Sequence, residues 1–156
     1  MLRKLIQGPD AATQFARLPR PLVFTNGVFD LLHRGHVAYL AAARDLGAAL
    51  LVAVNSDRSA RELAKGPDRP MNSQDDRVFV LEGLQSVCAV TLFDEPTPVA
   101  LLCKVKPDVY VKGGDYDIER LEETRWVRSW GGLALALPFV TGYSTTSLVE
   151  RIRRQP

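Results

Sequence analysis

The chain has 156 residues, of which 46% are hydrophobic and 24% are charged. This composition is ordinary for a globular protein, and a domain of this length buries a full core without disulfides or metals. Twenty lysines and arginines against eighteen acidic residues give a net charge of +2, which is too balanced for an electrostatic surface that binds nucleic acid. We therefore expect a single domain over residues 1–156, with residues 1–20 as a lead-in, that does not bind nucleic acid.

The cysteines and the N-terminal segment favour an intracellular protein. Cys88 and Cys103 show neither metal-ligand spacing nor the paired framework of small secreted domains, so we expect buried free thiols. Residues 1–20 lack an apolar run long enough for a signal peptide, and no segment approaches the roughly eighteen apolar residues of a membrane-spanning helix. We expect a cytoplasmic protein without a membrane partner.

Short apolar runs alternate with longer helical patterns along the chain. The runs lack the polar alternation of half-exposed strands, which favours parallel strands buried between helices. The pattern predicts an α/β fold, a Rossmann-like doubly wound parallel sheet of about five strands with helices on both faces. Ser73 and Thr97 are candidate N-caps. In chain order the predicted strands cover residues 22–25, 50–55, 87–93, 109–112 and 133–139, and the predicted helices 36–47, 57–64, 73–85, 97–105, 118–129 and 145–154.

The only two histidines of the chain, His33 and His36, lie three residues apart with Gly35 between them. They follow the first predicted strand and precede the first predicted helix. Such a junction presents unpaired backbone N–H groups and the positive end of the helix dipole, where phosphate binds. Two imidazoles there can donate hydrogen bonds to phosphoryl oxygens. His33 and His36 are therefore candidate catalytic residues.

Residues 25–30, Thr-Asn-Gly-Val-Phe-Asp, connect the first strand to the histidines. The Asn-Gly pair accepts positive φ, so the backbone can turn tightly beside a ligand. An ordinary turn has the same sequence, and it is the continuation into the histidines that favours a binding site. The candidate nucleotide-binding residues here are Thr25, Asn26, Gly27, Phe29 and Gly35, and Asp30 is a candidate substrate-binding residue.

Two further loops follow predicted strands. Two glycines after Lys112 permit close backbone approach to a ligand, and the hydroxyls of residues 144–147 can cap the last helix while they bind phosphate. A plain glycine turn and a plain helix cap are the alternative interpretations. The candidate nucleotide-binding residues are Lys112, Gly113, Tyr143, Ser144, Thr145 and Thr146, and Asp115 is a candidate substrate-binding residue.

Residues 65–70, Lys-Gly-Pro-Asp-Arg-Pro, form the one stretch rich in proline and glycine between predicted helices. Lys65 in this stretch and Arg77 on the following helix are candidate contacts to phosphate. Lysine and arginine on a surface are most often only solvated. That alternative stays open for both residues.

Residues 24–36, Phe-Thr-Asn-Gly-Val-Phe-Asp-Leu-Leu-His-Arg-Gly-His, resemble the HxGH signature of the nucleotidylyltransferase superfamily, in its cytidylyltransferase-like branch. The Ser-Thr-Thr loop at 144–146 is similar to that family's second phosphate site. The segments KGPDRP, DEPTP, KPDVYVKGGDY and GYSTT look most like those of the D-glycero-β-D-manno-heptose 1-phosphate adenylyltransferases. The resemblance extends from about residue 18 onward, and Val28 departs from it where many relatives carry cysteine.

The resemblance implies transfer of AMP from ATP to a sugar 1-phosphate, giving ADP-heptose for lipopolysaccharide core and pyrophosphate. His33 and His36 would stabilise charge at the α-phosphate, and Lys65 with the loop 144–146 would hold the leaving pyrophosphate, which makes Lys65 a catalytic candidate. Arg77 would contact substrate. Mg²⁺ is expected to bind chiefly through the ATP phosphates. We also expect a homo-oligomer, and a stand-alone form without the sugar kinase to which this module is often fused.

Other functions are compatible with parts of the same sequence pattern. Transfer of CMP to glycerol 3-phosphate or another alcohol phosphate stays open, although that family carries an arginine-containing stretch where this chain has Thr141-Gly142-Tyr143. A non-catalytic nucleotide-binding module on the same fold also stays open, because a fold does not decide a function. A class I aminoacyl-tRNA synthetase is disfavoured, since the second lysine-rich signature is missing. A dehydrogenase is disfavoured, since no G-x-G-x-x-G follows the first strand.

Overall fold

One parallel sheet of five strands organises the chain, in the order β3-β2-β1-β4-β5. The structure, a computed structural model, describes residues 4–63, 69–114, 116–138 and 140–154. Because the strand order changes direction between β1 and β4, the sheet is doubly wound, which confirms the predicted fold class. The strands are β1 Leu22–Gly27, β2 Ala49–Asn55, β3 Ala89–Phe93, β4 Val109–Gly113 and β5 Leu133–Leu137.

Helices cover both faces of the three interior strands, which are nearly fully buried because they place apolar side chains on both sides. Phe24 and Leu51 belong to a core shared with Leu102 of α5, and Val23 and Val52 to one shared with Leu40 of α2. The helices are α1 Ala11–Ala16, α2 Arg34–Arg44, α3 Asp57–Glu62, α4 Gln74–Glu82, α5 Val99–Val105, α6 Glu122–Ser129 and α7 Thr145–Arg153, with a 3-10 turn at Ile118–Arg120. None of these helices has the length and apolarity needed to cross a bilayer.

Local chemistry explains where the elements differ from the prediction. Ser73 is the N-cap of α4, as predicted, and its hydroxyl accepts a hydrogen bond from the Asp76 amide. Thr97 is wrong as an N-cap: α5 begins at Val99, and Pro98 occupies the N-cap position without a side-chain cap hydrogen bond. The predicted helix 118–129 is divided because Leu121 is extended, with φ −73° and ψ 135°. α1 was not predicted, since its only buried side chain is Phe15.

Both cysteines are free, as expected, but neither is buried. Cys88 and Cys103 are each half-buried. Cys88 packs against the edge of the core that contains Phe24 rather than inside it.

Arg77 of α4 connects the loops at the carboxyl ends of β1 and β2. Its side chain is completely buried. Nη1 donates to the carbonyls of Val28, at 2.6 Å, and Asn55, at 2.9 Å. Nε donates to the Asn72 carbonyl at 3.2 Å, and Nη2 pairs with the Asp57 carboxylate at 2.8 Å. The expectation that Arg77 contacts substrate is therefore corrected: its donors are bound to the protein itself.

Replacing Arg77 with methionine is expected to lower the free energy of unfolding by about 3–5 kcal/mol, because three carbonyls and one carboxylate lose their shared donor. Urea denaturation followed by circular dichroism measures this change. Arg128→Met is the matched control, since Arg128 is an exposed arginine paired with Glu119 and should leave the midpoint unchanged. Equal midpoints for Arg77→Met and the wild type would contradict the proposed role.

Candidate active site

A cavity of about 600 Å³ opens at the carboxyl end of the sheet, beside the junction of β1 and β4. In doubly wound sheets ligands bind at this position, and the volume suits a small molecule. The loops after β1 and β4, the first turns of α2 and α7, and the residues just before α4 form its walls. The predicted residues that line it are Asn26, Gly27, Phe29, Asp30, His33, Gly35, His36, Lys112, Gly113, Tyr143, Ser144, Thr145 and Thr146.

Some predicted residues do not reach the cavity, and some lining residues were not predicted. Thr25 and Arg77 do not line it. Lys65 and Asp115 lie outside the described residues. Among the missed residues, Val28, Arg69, Pro70 and Tyr116 belong to segments that the sequence already singled out, whereas Tyr39 and Ala60 lie in helices without a signal. The missed lining residues are Val28, Tyr39, Ala60, Arg69, Pro70 and Tyr116.

Thr25 does not line the cavity but contacts Tyr39, a residue that does. Its side chain is completely buried, and its hydroxyl lies 2.7 Å from the hydroxyl of Tyr39. Burial raises the pKa of Tyr39 to about 12, despite the opposing hydrogen bond from Thr25. Tyr39 is therefore a neutral phenol at the edge of the cavity.

His33 is at once the N-cap of α2 and a cavity side chain. Its backbone is extended, with φ −141° and ψ 172°, and its Nδ1 accepts a hydrogen bond from the Gly35 amide at 3.1 Å. Nδ1 therefore carries no proton in the neutral ring, and Nε2–H is the donor that remains. Burial lowers the pKa of His33. The ring is a neutral donor close to the positive end of α2.

His36, in the first turn of α2, stacks on His33 with ring centroids 4.0 Å apart. On its other side lies Phe29, at 5.6 Å, whose backbone is left-handed with φ 51°. A Cβ on Gly35 would lie 3.0 Å from the His33 ring and 3.2 Å from Tyr143 Cβ. The glycine between the histidines is needed for this close approach.

The first turn of α7 forms a further wall of the cavity. The Ser144 hydroxyl accepts from the Ser147 amide at 3.0 Å, and the Ser147 hydroxyl accepts in return from the Ser144 amide at 3.3 Å, which is a capping box. The Thr145 hydroxyl donates to the Leu31 carbonyl at 3.3 Å and so attaches α7 to the loop after β1. Two helix N-termini thus open into one cavity, and both favour anions.

Asn26 is oriented by two residues of β4. Its Oδ1 accepts hydrogen bonds from the Tyr110 hydroxyl at 3.1 Å and from Lys112 Nζ at 3.2 Å. Lys112 Nζ also lies 4.9 Å from the centre of the Tyr116 ring, within the range of a cation–π contact. Burial raises the pKa of Tyr110, which keeps it a hydroxyl donor.

Asp30 lines the cavity, but its carboxylate is occupied by the segment before α4. Oδ1 accepts from the amides of Met71, at 2.8 Å, and Asn72, at 3.0 Å, while Oδ2 pairs with Arg69 Nη1 at 2.8 Å. Burial opposes ionisation of Asp30, but the hydrogen bonds from Asn72, Arg69 and Met71 outweigh it and hold the pKa below its usual value. Asp30 is thus an anion that organises the wall of the cavity.

Across the described part of the chain, no three His, Cys, Asp or Glu side chains come together as a metal site. The polar groups that the cavity offers are mainly hydrogen-bond donors: imidazole and backbone N–H groups, hydroxyls and two cationic side chains. Such a set binds phosphate and stabilises charge on phosphoryl oxygens.

Comparison with known proteins agrees with this geometry. A family model described as cytidylyltransferase-like matches residues 24–151. The chain belongs to the cytidylyltransferase-like family. The match includes the HxGH segment and the Ser-Thr-Thr loop, both of which line the cavity.

Individual members of the cytidylyltransferase-like family and a solved structure are similar over most of the chain. A D-beta-D-heptose 1-phosphate adenylyltransferase of Bordetella bronchiseptica is 58% identical over 144 residues, covering 92% of this chain and 89% of the relative. The bifunctional protein HldE of Alcanivorax borkumensis is 48% identical over 97% of this chain, which spans only 31% of that relative. The crystal structure of a lipopolysaccharide core biosynthesis protein from Thermoplasma volcanium superposes with a TM-score of 0.65 at 28% identity, covering 79% of this chain and 98% of the other.

His33 is expected to titrate below pH 6.5, its ordinary value. Because the unfolded chain binds this proton more readily, the contribution of His33 to the free energy of unfolding is present above pH 6.5 and is lost as the pH falls below it. An NMR titration of ¹⁵N-labelled histidine measures the midpoint and also reports the Nε2–H tautomer at pH 7. Urea-unfolded protein is the control, with a midpoint near 6.5 expected; a folded midpoint at or above that of the control would contradict the prediction.

Proposed function

We propose that this protein transfers AMP from ATP to D-glycero-β-D-manno-heptose 1-phosphate, giving ADP-heptose and pyrophosphate for lipopolysaccharide core synthesis. The observation that carries the proposal is the meeting of His33, His36 and the first turns of α2 and α7 in one cavity. The 58% identity to a heptose 1-phosphate adenylyltransferase supports the choice of nucleotide and sugar.

The reaction requires a phosphate oxygen of the sugar to attack the α-phosphorus of ATP. A bond forms between these atoms, and the bond from the α-phosphorus to the oxygen that bridges to the β-phosphate breaks, so that pyrophosphate leaves. His33 Nε2–H and the His36 ring donate to the α-phosphate oxygens, where charge develops. The backbone N–H groups at the start of α7 and the Thr146 hydroxyl hold the departing phosphates, since the hydroxyls of Ser144 and Thr145 already donate within the protein.

The cavity promotes this reaction mainly by positioning the two bound substrates relative to each other. An in-line displacement requires the nucleophile, the phosphorus and the leaving oxygen to be aligned, and a fixed cavity supplies that alignment before reaction. Lys112 and Gly113, at the end of β4, line the cavity, and in this reaction they would contact the nucleotide base and the acceptor. Mg²⁺ would reduce the charge of the triphosphate, and we propose that it enters chiefly as a complex with ATP.

Transfer of CMP to an alcohol phosphate is the second candidate. The description of the matched family as cytidylyltransferase-like favours it. Both reactions use the same histidines and the same helix N-termini, so they differ only in the base and in the acceptor. The names and identities of the similar proteins favour the adenylyl reaction.

We also propose a cytoplasmic location, because the reaction consumes ATP, and association into a homo-oligomer. Two leucines of β5, at the edge of the sheet, support association: Leu133 is 59% exposed and Leu135 is 37% exposed. Large exposed apolar side chains on one strand are typical of a contact surface.

Pyrophosphate release is expected with ATP and heptose 1-phosphate, and at most weak release with the other three combinations of ATP or CTP with heptose 1-phosphate or glycerol 3-phosphate. A coupled phosphate assay with inorganic pyrophosphatase measures all four. Turnover restricted to CTP and glycerol 3-phosphate would establish the second candidate instead. No turnover with any pair would favour a nucleotide-binding module without catalysis.

His36→Ala is expected to lower kcat about 10²- to 10³-fold, the usual cost of removing one donor that stabilises transition-state charge. The melting temperature should stay close to that of the wild type, since His36 is only half-buried. Val37→Ala is the control, because Val37 is the next residue of α2 and is 45% exposed. A large fall in melting temperature with kcat retained would instead make His36 a structural residue.

A further inference from the structure

Arg69 is a cationic side chain of the cavity that the histidine motif does not include. Its side chain is 17% exposed, lines the cavity and pairs through Nη1 with Asp30 at 2.8 Å. Within the described residues this is its only hydrogen bond. A guanidinium has five N–H groups in a fixed plane, so the remaining ones are available to a ligand in the cavity.

The position of Arg69 is fixed by the segment that carries it. The amides of Met71 and Asn72 donate to Asp30 Oδ1, and Asn72 Nδ2 donates to the Asp30 carbonyl at 2.8 Å. From the opposite side, Arg77 Nε donates to the Asn72 carbonyl. The backbone next to Arg69 is therefore held before any ligand binds, which lowers the entropic cost of using its side chain.

The neighbours of Asp30 indicate which phosphate Arg69 would meet. Leu31, the next residue, accepts a hydrogen bond from Thr145 at the start of α7. Arg69 and the first turn of α7 thus approach two consecutive residues of the loop after β1. Lys112 is attached to Asn26, near the carboxyl end of β1 and before that loop begins. Arg69 consequently belongs to the end of the cavity at which α7 receives phosphate.

Charge supports the same assignment. Among the described residues that line the cavity, Arg69 and Lys112 are the side chains with a permanent positive charge, and they lie on different walls. His33 is neutral near pH 7, since burial lowers its pKa. Pyrophosphate carries more negative charge than a monophosphate ester, and arginine binds phosphate through paired N–H groups.

We propose that Arg69 binds the leaving pyrophosphate, and that Asp30 acts on the reaction by holding Arg69 in place. Asp30 is then a positioning residue, not a contact to the sugar. The catalytic role of Arg69 rests on the proposed function, but the binding of pyrophosphate to Arg69 can be measured without turnover.

Calorimetric titration of Arg69→Gln with pyrophosphate and, separately, with AMP tests the assignment. Loss of a charged hydrogen-bonding partner is expected to weaken pyrophosphate binding about tenfold to a hundredfold. Binding of AMP, which lacks the β- and γ-phosphates, should be unchanged. Arg69→Lys, which keeps the charge without the planar donors, should fall between the wild type and Arg69→Gln.

Arg128→Gln is the matched control, because Arg128 is also paired with a carboxylate but lies on α6, and its pyrophosphate binding should equal that of the wild type. Asp30→Asn keeps an oxygen for the Met71 and Asn72 amides and removes the charge opposite Arg69. It should weaken pyrophosphate binding, and the double variant Asp30→Asn with Arg69→Gln should be no weaker than Arg69→Gln alone.

Several results would overturn the proposal: no measurable pyrophosphate binding to the wild type, unchanged binding to Arg69→Gln, or equal losses for pyrophosphate and AMP. Additive losses in the double variant would overturn the role of Asp30. A higher KM for the sugar phosphate with unchanged pyrophosphate binding would place Arg69 at the acceptor instead. The titrations do not depend on turnover with heptose 1-phosphate. A failure of the proposed function can therefore be distinguished from a failure of the proposal for Arg69.

Discussion

Because the guanidinium of Arg77 is completely buried, its N–H groups must find acceptors inside the protein. They find them on three different segments: Val28 after β1, Asn55 at the end of β2, and Asn72 before α4. A buried cation is tolerated only when all of its partners are in place, since each missing partner leaves part of the desolvation cost uncompensated. The hydrogen bonds of Arg77 therefore fix these three segments relative to one another. The cavity residues that these segments carry are fixed with them.

On the other side of the cavity, hydrogen bonds at the N-termini of α2 and α7 fix the positions of the side chains. His33 satisfies an amide of α2 with the same ring that faces the cavity, so capping the helix also selects the tautomer. Neutral donors near two helix N-termini attract a phosphate without the strong charge pairing that would retain a product. The permanent cations, Arg69 and Lys112, lie on separate walls. In the proposed reaction, neutral groups would surround the α-phosphate and charged groups would lie towards the ends of the cavity.

The sequence predicted the parts of this arrangement that depend on local pattern. Fully apolar runs predicted parallel strands, and the hydroxyl of Ser73 predicted the start of α4, because both signals act over a few residues. It did not predict that Thr25 turns its hydroxyl to Tyr39 or that Arg77 is buried, because both outcomes depend on residues far away in the chain. The short helix α1 escaped prediction for a related reason, since tertiary packing of Phe15 stabilises it rather than an apolar stripe.

The loop between β1 and α2 connects every wall of the cavity. Asn26 of β1, just before the loop, is held by Tyr110 of β4. Within the loop, Asp30 is held by the segment before α4 and Leu31 by α7. His33 ends the loop and starts α2. In the proposed reaction, one short piece of backbone therefore sets the distance between the donors to the α-phosphate and the end of the cavity that would receive pyrophosphate. For an in-line displacement that distance decides whether the leaving oxygen is aligned, which explains why the loop needs an attachment on each side.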